Sequence, residues 1–468
     1  MRREAASGFR TVIDESHPER ARRLPRGSVS IAAIIWVTIF AVYNLNGREI
    51  PSGDSQAAKF AAVNLAKRHA LTLDGIVGRQ QLYAERLAFV RDRAGHFRNA
   101  YPLPPVLEAA GVASILQLLR LLALDAPLAP RIVGKLTASA FLGLAAALAF
   151  LTAVPYCGTS LAAMLAIGFG LGTGLWPVAS QTLWQHEAAI WSLMAAICLW
   201  VLDVPRRPVL RAAAIGVLLG WSVSARPQTG PLVAIIALGV MWSATRGQRV
   251  ATLSSLVAVA GTFVALNVFW FGHAEGPIPQ FSALNMSIHG TVTTWQWPGP
   301  GAAGLLFSPS RGLLIFSPIV LVIVAARRTG PRGGIVAWTQ AAAAVQFVVY
   351  SSYAVWWGGY SYGPRYLLDL LPALVPAAAA GLERLSHARA PVRAIAGLAL
   401  VWSIVASATG AFCYPNDEWN TDPLNVDQAH GRLWDVRDSQ IVRCWRRGLS
   451  PQNFVMFDRA AWRPRAND

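Results

Sequence analysis

A series of long apolar runs constrains this chain more than any other feature. Gly27 to Gly47 gives 21 residues without a charge, enough to cross ~30 Å of hydrocarbon as a helix. Further apolar runs lie near 106–124, 132–154, 160–179, 185–203, 209–224, 230–245, 250–271, 312–326, 335–356, 366–383 and 394–413. In lipid, backbone N–H and C=O groups must pair within the segment itself. The expected fold is therefore all-α: a polytopic transmembrane helical protein. Composition agrees, because only 14% of residues are charged against about 25% in a soluble domain.

The charge that remains is lopsided, with 41 Lys+Arg against 24 Asp+Glu and a net +17. Such a balance can signal nucleic acid. Here the only lysines are Lys59, Lys67 and Lys135, and the arginines are scattered through short loops. That pattern is orientation signal, not a phosphate-tracking stripe. No nucleic-acid partner is expected.

Residues 1–26 hold seven arginines, with Arg20, Arg22, Arg23 and Arg26 nearest the first apolar run. They read as a cytoplasmic N-terminal tail before a first spanning helix, not as a cleaved signal peptide. Four short loops are basic and nearly free of acid: Arg206/Arg207/Arg211, Arg246/Arg249, Arg327/Arg328/Arg332, and Arg389/Arg393 with Arg384 nearby. They alternate with the other loops and so share one side, which the positive-inside rule makes cytoplasmic. In a cell membrane, the outer side then receives the loop 48–104, the turn at Arg226, the loop 272–311, the turn 356–365 and a polar tail, 414–468. The transmembrane domain is 27–413.

Four apolar runs separate the outer loop 48–104 from the inner loop at 204–211, where an odd number of crossings is required. Either one run fails to span or one hides an extra crossing, giving 11 or 13 spans. The candidates are 160–179, rich in glycine with Pro177, and 106–124, which carries Glu108 and Arg120. In the outer loop, Leu82, Tyr83, Leu87 and Val90 fall on one helical face, as expected of a helix on the membrane surface or an ordinary solvated helix. Cys413 and Cys444 bracket the start of the tail, either as a bridge or as two free thiols. No Cys/His spacing resembles a metal site, and no metal or cofactor is expected.

The outer segments hold the unusual chemistry. Asp54, in Pro51-Ser52-Gly53-Asp54-Ser55, sits on a turn close to the membrane surface. It is either a general base for an acceptor hydroxyl or the cap of a helix beginning near Gln56. His186, in Trp184-Gln185-His186-Glu187, opens an apolar run where a polar group is costly unless it lines a wet cavity. Three arginines lie beside proline or glycine on the side opposite the basic loops: Arg226 before Pro227, Arg311 in Ser308-Pro309-Ser310-Arg311-Gly312, and Arg365 in Gly358-Gly359-Tyr360-Ser361-Tyr362-Gly363-Pro364-Arg365. Guanidinium groups match phosphate oxygens and tyrosines such as Tyr362 stack on sugars, so an anionic ligand is expected there.

This layout resembles the GT-C membrane glycosyltransferases, and within them the protein O-mannosyltransferase and lipid A aminoarabinose transferase group. In that group the first outer loop opens with an Asp-Glu pair and a Pro-rich stretch returns the chain to the membrane. Asp54 matches the acid, with Ser55 in place of the Glu. Tyr101-Pro102-Leu103-Pro104-Pro105 resembles the returning stretch without its usual lysine, and His186 falls where an aspartate is common. The resemblance implies transfer of a sugar from a polyprenyl-phosphate donor to a glycan, lipid or protein acceptor on the outer side, with inversion. Asp54 would be the base, His186 would line the sugar site, and Arg226, Arg311 or Arg365 would hold the departing phosphate. The alternatives are a transporter or lipid flippase, which should show paired repeats around a midplane site, and a non-catalytic protein of the same fold, in which Asp54 would point away from any cavity.

Overall fold

The computed structural model describes residues 24–77, 88–202, 207–280, 295–296, 299–326, 332–458 and 462–463. Arg20, Arg22, Arg23, Arg206, Arg327 and Arg328 lie outside the described residues, as do Leu82, Tyr83 and Leu87 of the expected surface helix. Helix α1 (Ser28–Asn44) buries Ala32, Ile35, Ile39 and Tyr43, a stripe at helical spacing. The Tyr43 hydroxyl closes the contact by donating to the Gly170 carbonyl at 2.9 Å.

Helix α2 (Gly53–Arg68) follows, then a two-stranded hairpin of β1 (Phe89–Arg91) and β2 (Phe97–Asn99). Val90 therefore belongs to a strand and not to the expected helix. The reason is local turn chemistry: the Asp92 carboxylate accepts from the Ala94 and His96 amides at 2.9 and 3.0 Å, and Gly95 takes φ 87°.

The parity question turns on α3 (Pro104–Leu118). The chain enters it from Tyr101, whose hydroxyl reaches Asp54 at the start of α2, and leaves it at Asp125, which pairs with Lys67 at the end of α2. Both ends of α3 thus lie on the face that bears the first loop. Fifteen residues make only about 22 Å of helix, short of the hydrocarbon thickness. By these contacts the run 106–124 enters and leaves beside α2.

Helix α4 (Ala129–Leu171) is a helical hairpin broken at Gly158, which takes φ 70° and ψ 177°. A Cβ on Gly170 would lie 3.5 Å from that of Ala146, whereas one straight helix between them would span about 36 Å. Then come α5 (Gln185–Val201), α6 (Pro208–Ala225), α7 (Gly230–Trp242) and α8 (Arg246–Phe271). A segment of helix and 3₁₀ turns follows (Leu313–Phe316, Pro318–Ala325), then α9 (Gly333–Ser351), α10 (Leu371–Ser386), preceded by a 3₁₀ turn at Arg365–Leu370, and α11 (Ala390–Cys413). Six helical segments of the described residues are long and apolar enough to cross a membrane.

Beyond α11 the tail folds back over the site face. Cys413 and Cys444 form a disulfide, which ties α12 (Gln440–Arg447) to the end of α11.

Helix α8 is held mainly by α6. Their crossing depends on Gly216, where a Cβ would fall 2.2 Å from the Thr252 carbonyl oxygen. Gly216→Leu should destabilise the protein by about 1–3 kcal/mol through overpacking, read as a lower thermal midpoint in detergent. An unchanged midpoint would contradict this packing.

Candidate functional site

The start of α2 is built by short-range capping. Ser52 is the N-cap: its hydroxyl accepts from the Asp54 amide at 3.3 Å, and Ser55 completes a capping box. The cap reading of Asp54 is thereby corrected, because Ser52 does that work and leaves the Asp54 carboxylate to face outward. Behind it, Glu49 is buried between Lys59 and Thr182, and Thr182 also bonds Ser55 at 3.0 Å. These contacts fix the turn that carries Asp54.

The Asp54 carboxylate has two partners. Tyr101, set by the Pro-rich stretch, donates its hydroxyl to Oδ1 at 2.7 Å, and Arg365 donates Nη1 to Oδ2 at 3.0 Å. Burial and the Asp54 charge push the Tyr101 phenol well above its usual range, so it remains a donor. The Asp54 side chain is 38% exposed and that of Arg365 13%. Arg365 lies over the Trp184 ring at 4.8 Å and the Tyr366 ring at 5.5 Å. Its Nε is buried and, among the described residues, without a hydrogen-bond partner.

Below this pair lies a second polar group centred on Asp369. Its Oδ1 meets His186 Nδ1 at 2.7 Å, and its Oδ2 accepts from Arg226 Nε at 2.5 Å and from the Tyr350 hydroxyl. His186 is in the first turn of α5, Arg226 caps the end of α6, Tyr350 is near the end of α9, and Asp369 is on the 3₁₀ turn before α10.

One cavity of about 1000 Å³ is lined by Asp54, Tyr101, His186, Arg226, Tyr350 and Arg365. Its walls also include Trp184, Tyr360, Tyr366 and the tail residue Asp427. Among the described residues, no three His, Cys, Asp or Glu side chains gather as a metal site requires.

Two of the expected site residues are elsewhere. Arg311 is fully buried and its donors are occupied by protein: Nε by the Trp357 carbonyl at 2.7 Å, Nη1 by Ser310 and Gln440, and Nη2 by Gly359 and Asn420. The turn Ser308–Gly312 aims it into the tail instead of the cavity. Tyr362 is also inside the protein, donating to the Ala406 carbonyl at 2.8 Å with its ring against Phe316. Positive φ at Gly358, Gly359 and Gly363 turns this loop so that Tyr360 reaches the cavity and Tyr362 the core.

Tyr350 and Asp369 were not singled out by sequence reasoning, and Tyr101 and Trp184 entered it only as members of their stretches. Asp369 had a readable signal: it is a lone acid within the apolar run 366–383.

No family model matches the sequence, and no curated protein matches it. Solved structures similar to the chain include two membrane proteins. ArnT from Cupriavidus metallidurans, bound to undecaprenyl phosphate, is 14% identical with a TM-score of 0.45, over 90% of this chain and 76% of that one. The oligosaccharyltransferase AglB from Archaeoglobus fulgidus, in complex with an inhibitory peptide and a dolichol-phosphate, is 11% identical with a TM-score of 0.44, over 89% of this chain and 61% of that one.

The roles of the tail residues are open to measurement. Arg311→Ala strands several buried acceptors, each costing about 1–3 kcal/mol. It should lower the thermal midpoint and expose residues 414–458 to trypsin; wild-type resistance would contradict the fastening of the tail by Arg311. Burial pushes the Asp417 carboxyl up to about 6, against the pull of Arg311 and Arg443. The stability this group supplies is full below its ordinary value near 4 and is lost as pH rises through about 6. Asp417→Asn should therefore stabilise the protein at pH 7.5 by up to about 3 kcal/mol, a gain that vanishes by pH 4. Equal midpoints at pH 7.5 would contradict it.

Proposed function

We propose that the chain is a membrane glycosyltransferase that moves a sugar from a polyprenyl-phosphate donor to an acceptor hydroxyl. The observation that carries this reading is the convergence of Asp54 and Arg365 in one large cavity. They bring a carboxylate that can accept a proton and a guanidinium with donors to spare within one hydrogen bond of each other. The non-catalytic alternative expects Asp54 away from any cavity, and its position in one favours the enzyme. The basic loops support a cytoplasmic N-terminus and an outward-facing cavity.

In the proposed reaction the acceptor O–H gives its proton to Asp54. The oxygen attacks the anomeric carbon from the side opposite the phosphate, and the bond from that carbon to the phosphate oxygen breaks with its electron pair going to the lipid phosphate. Configuration inverts. Arg365 stabilises the charge that grows on the leaving phosphate, where a preorganised donor lowers the barrier. Arg226 is committed to Asp369, so its part is to balance that carboxylate.

The test is Asp54→Asn in proteoliposomes supplied with undecaprenyl-phosphate-linked mannose, glucose and galactose. The variant keeps an amide oxygen for Arg365, and the Tyr101 hydroxyl can turn to accept from the amide N–H; its thermal midpoint, measured alongside, reports any loss of folding. Transfer should fall 10²–10⁴-fold, the usual worth of a positioned base. Full transfer by the variant, or a wild-type protein silent with all three donors, would contradict the proposal.

A further inference from the structure

The Asp369 group has a chemical consequence for the ring that reaches the cavity. Asp369 is fully buried with Arg226 at 2.5 Å. One negative and one positive charge already balance there, and a second cation on His186 would leave a buried excess beside Arg365. The uncharged ring is the form that fits. Its tautomer is set by geometry: the Asp369 carboxylate is an acceptor only, so the proton between them belongs to His186 Nδ1. A neutral imidazole protonated at Nδ1 has a bare lone pair at Nε2, on the far side of the ring from Asp369. His186 lines the same cavity as Asp54 and Arg365.

We infer that His186 Nε2 accepts a hydrogen bond from a hydroxyl of the bound sugar, which makes His186 a specificity-determining residue and Asp369 the positioning residue that fixes its tautomer. This rests on the reading of the cavity as a glycosyl site. The chemistry selects an uncharged sugar with a free hydroxyl at that place. A carboxylate or phosphate there would meet a lone pair backed by a carboxylate. A deoxy sugar would leave the nitrogen unpaired, the kind of loss by which polar pockets reject analogues lacking the group.

Two measurements test it. Diethyl pyrocarbonate acylates only a bare imidazole nitrogen, and peptide mass mapping locates the adduct on the full-length protein in detergent. His186 should be modified, and undecaprenyl-phosphate mannose should protect it. In Asp369→Asn the two donors Arg226 and Tyr350 hold the amide oxygen, so the amide N–H turns to His186 Nδ1 and moves the ring proton to Nε2. Labelling should then slow about tenfold or more, whereas Tyr350→Phe, which leaves the His186 contact intact, should label as the wild type does. An unmodified His186 while the exposed His69 and His387 react would overturn the inference. So would equal labelling in Asp369→Asn, or equal slowing in both variants.

The second measurement is transfer from the monodeoxy forms of whichever donor the wild type uses. Wild-type kcat/KM should fall about tenfold or more for one deoxy position, and His186→Ala should lose that discrimination through a raised KM for the parent sugar. Discrimination unchanged in the variant would overturn the inference while leaving the Asp54 result standing. A protein without transferase activity would still give a readable labelling result.

Discussion

One six-residue 3₁₀ turn, Arg365–Leu370, presents opposite charges in two directions. Asp369 points into the bundle, where it gathers His186, Arg226 and Tyr350 from three other helices. Arg365 points toward the first loop, where it meets Asp54. A buried carboxylate is tolerated only when paired, and removing one partner of such a pair typically costs 3–5 kcal/mol. The register of α5, α6 and α9 around α10 is therefore coupled to the chemistry of the cavity. Moving α6 by one turn would strip Asp369 of its counter-charge, and moving α5 or α9 would remove one of its hydrogen bonds.

The remaining walls come from polar segments that apolar packing alone could not position. The first loop is held at Glu49 by Lys59 and Thr182, and at Arg48 by the Tyr414 carbonyl at 2.6 Å. The tail is held by the Cys413–Cys444 bridge and by Arg311, whose guanidinium also lies 5.0 Å from the centre of the buried Trp419 ring. Tyr414 and Asp427 of that tail reach the cavity. The arginines beside proline and glycine thus divide into distinct tasks. Arg311 fastens the tail, Arg226 neutralises Asp369, and Arg365 pairs with Asp54 in the cavity.

The helical architecture was legible because apolar runs have few ways to exist in lipid. The parity of crossings left two candidate runs, 160–179 and 106–124; in the second, Glu108 accepts from the indoles of Trp191 and Trp221. The hairpin β1–β2 was not legible, since Val90 fits a helical stripe and only the Asp92 turn converts it to a strand. Asp54, His186, Arg226 and Arg365, which residue type and neighbours single out, line one cavity. Arg311 misled for a physical reason. Its acceptors come from Trp357, Gly359, Asn420 and Gln440, residues far along the chain whose convergence no local pattern reveals. Asp369 was passed over because one acid in an apolar run reads as a boundary until its three partners are in place.

The central claim is that the Asp54–Arg365 cavity receives a lipid phosphate. A cryo-electron microscopy map of the full-length protein in nanodiscs with undecaprenyl phosphate tests this most directly. The account predicts phosphate density within hydrogen-bonding distance of the Arg365 guanidinium, in the cavity that Asp54 lines. Phosphate density against Arg311, on the basic-loop face, or nowhere in the cavity at saturating lipid would contradict it.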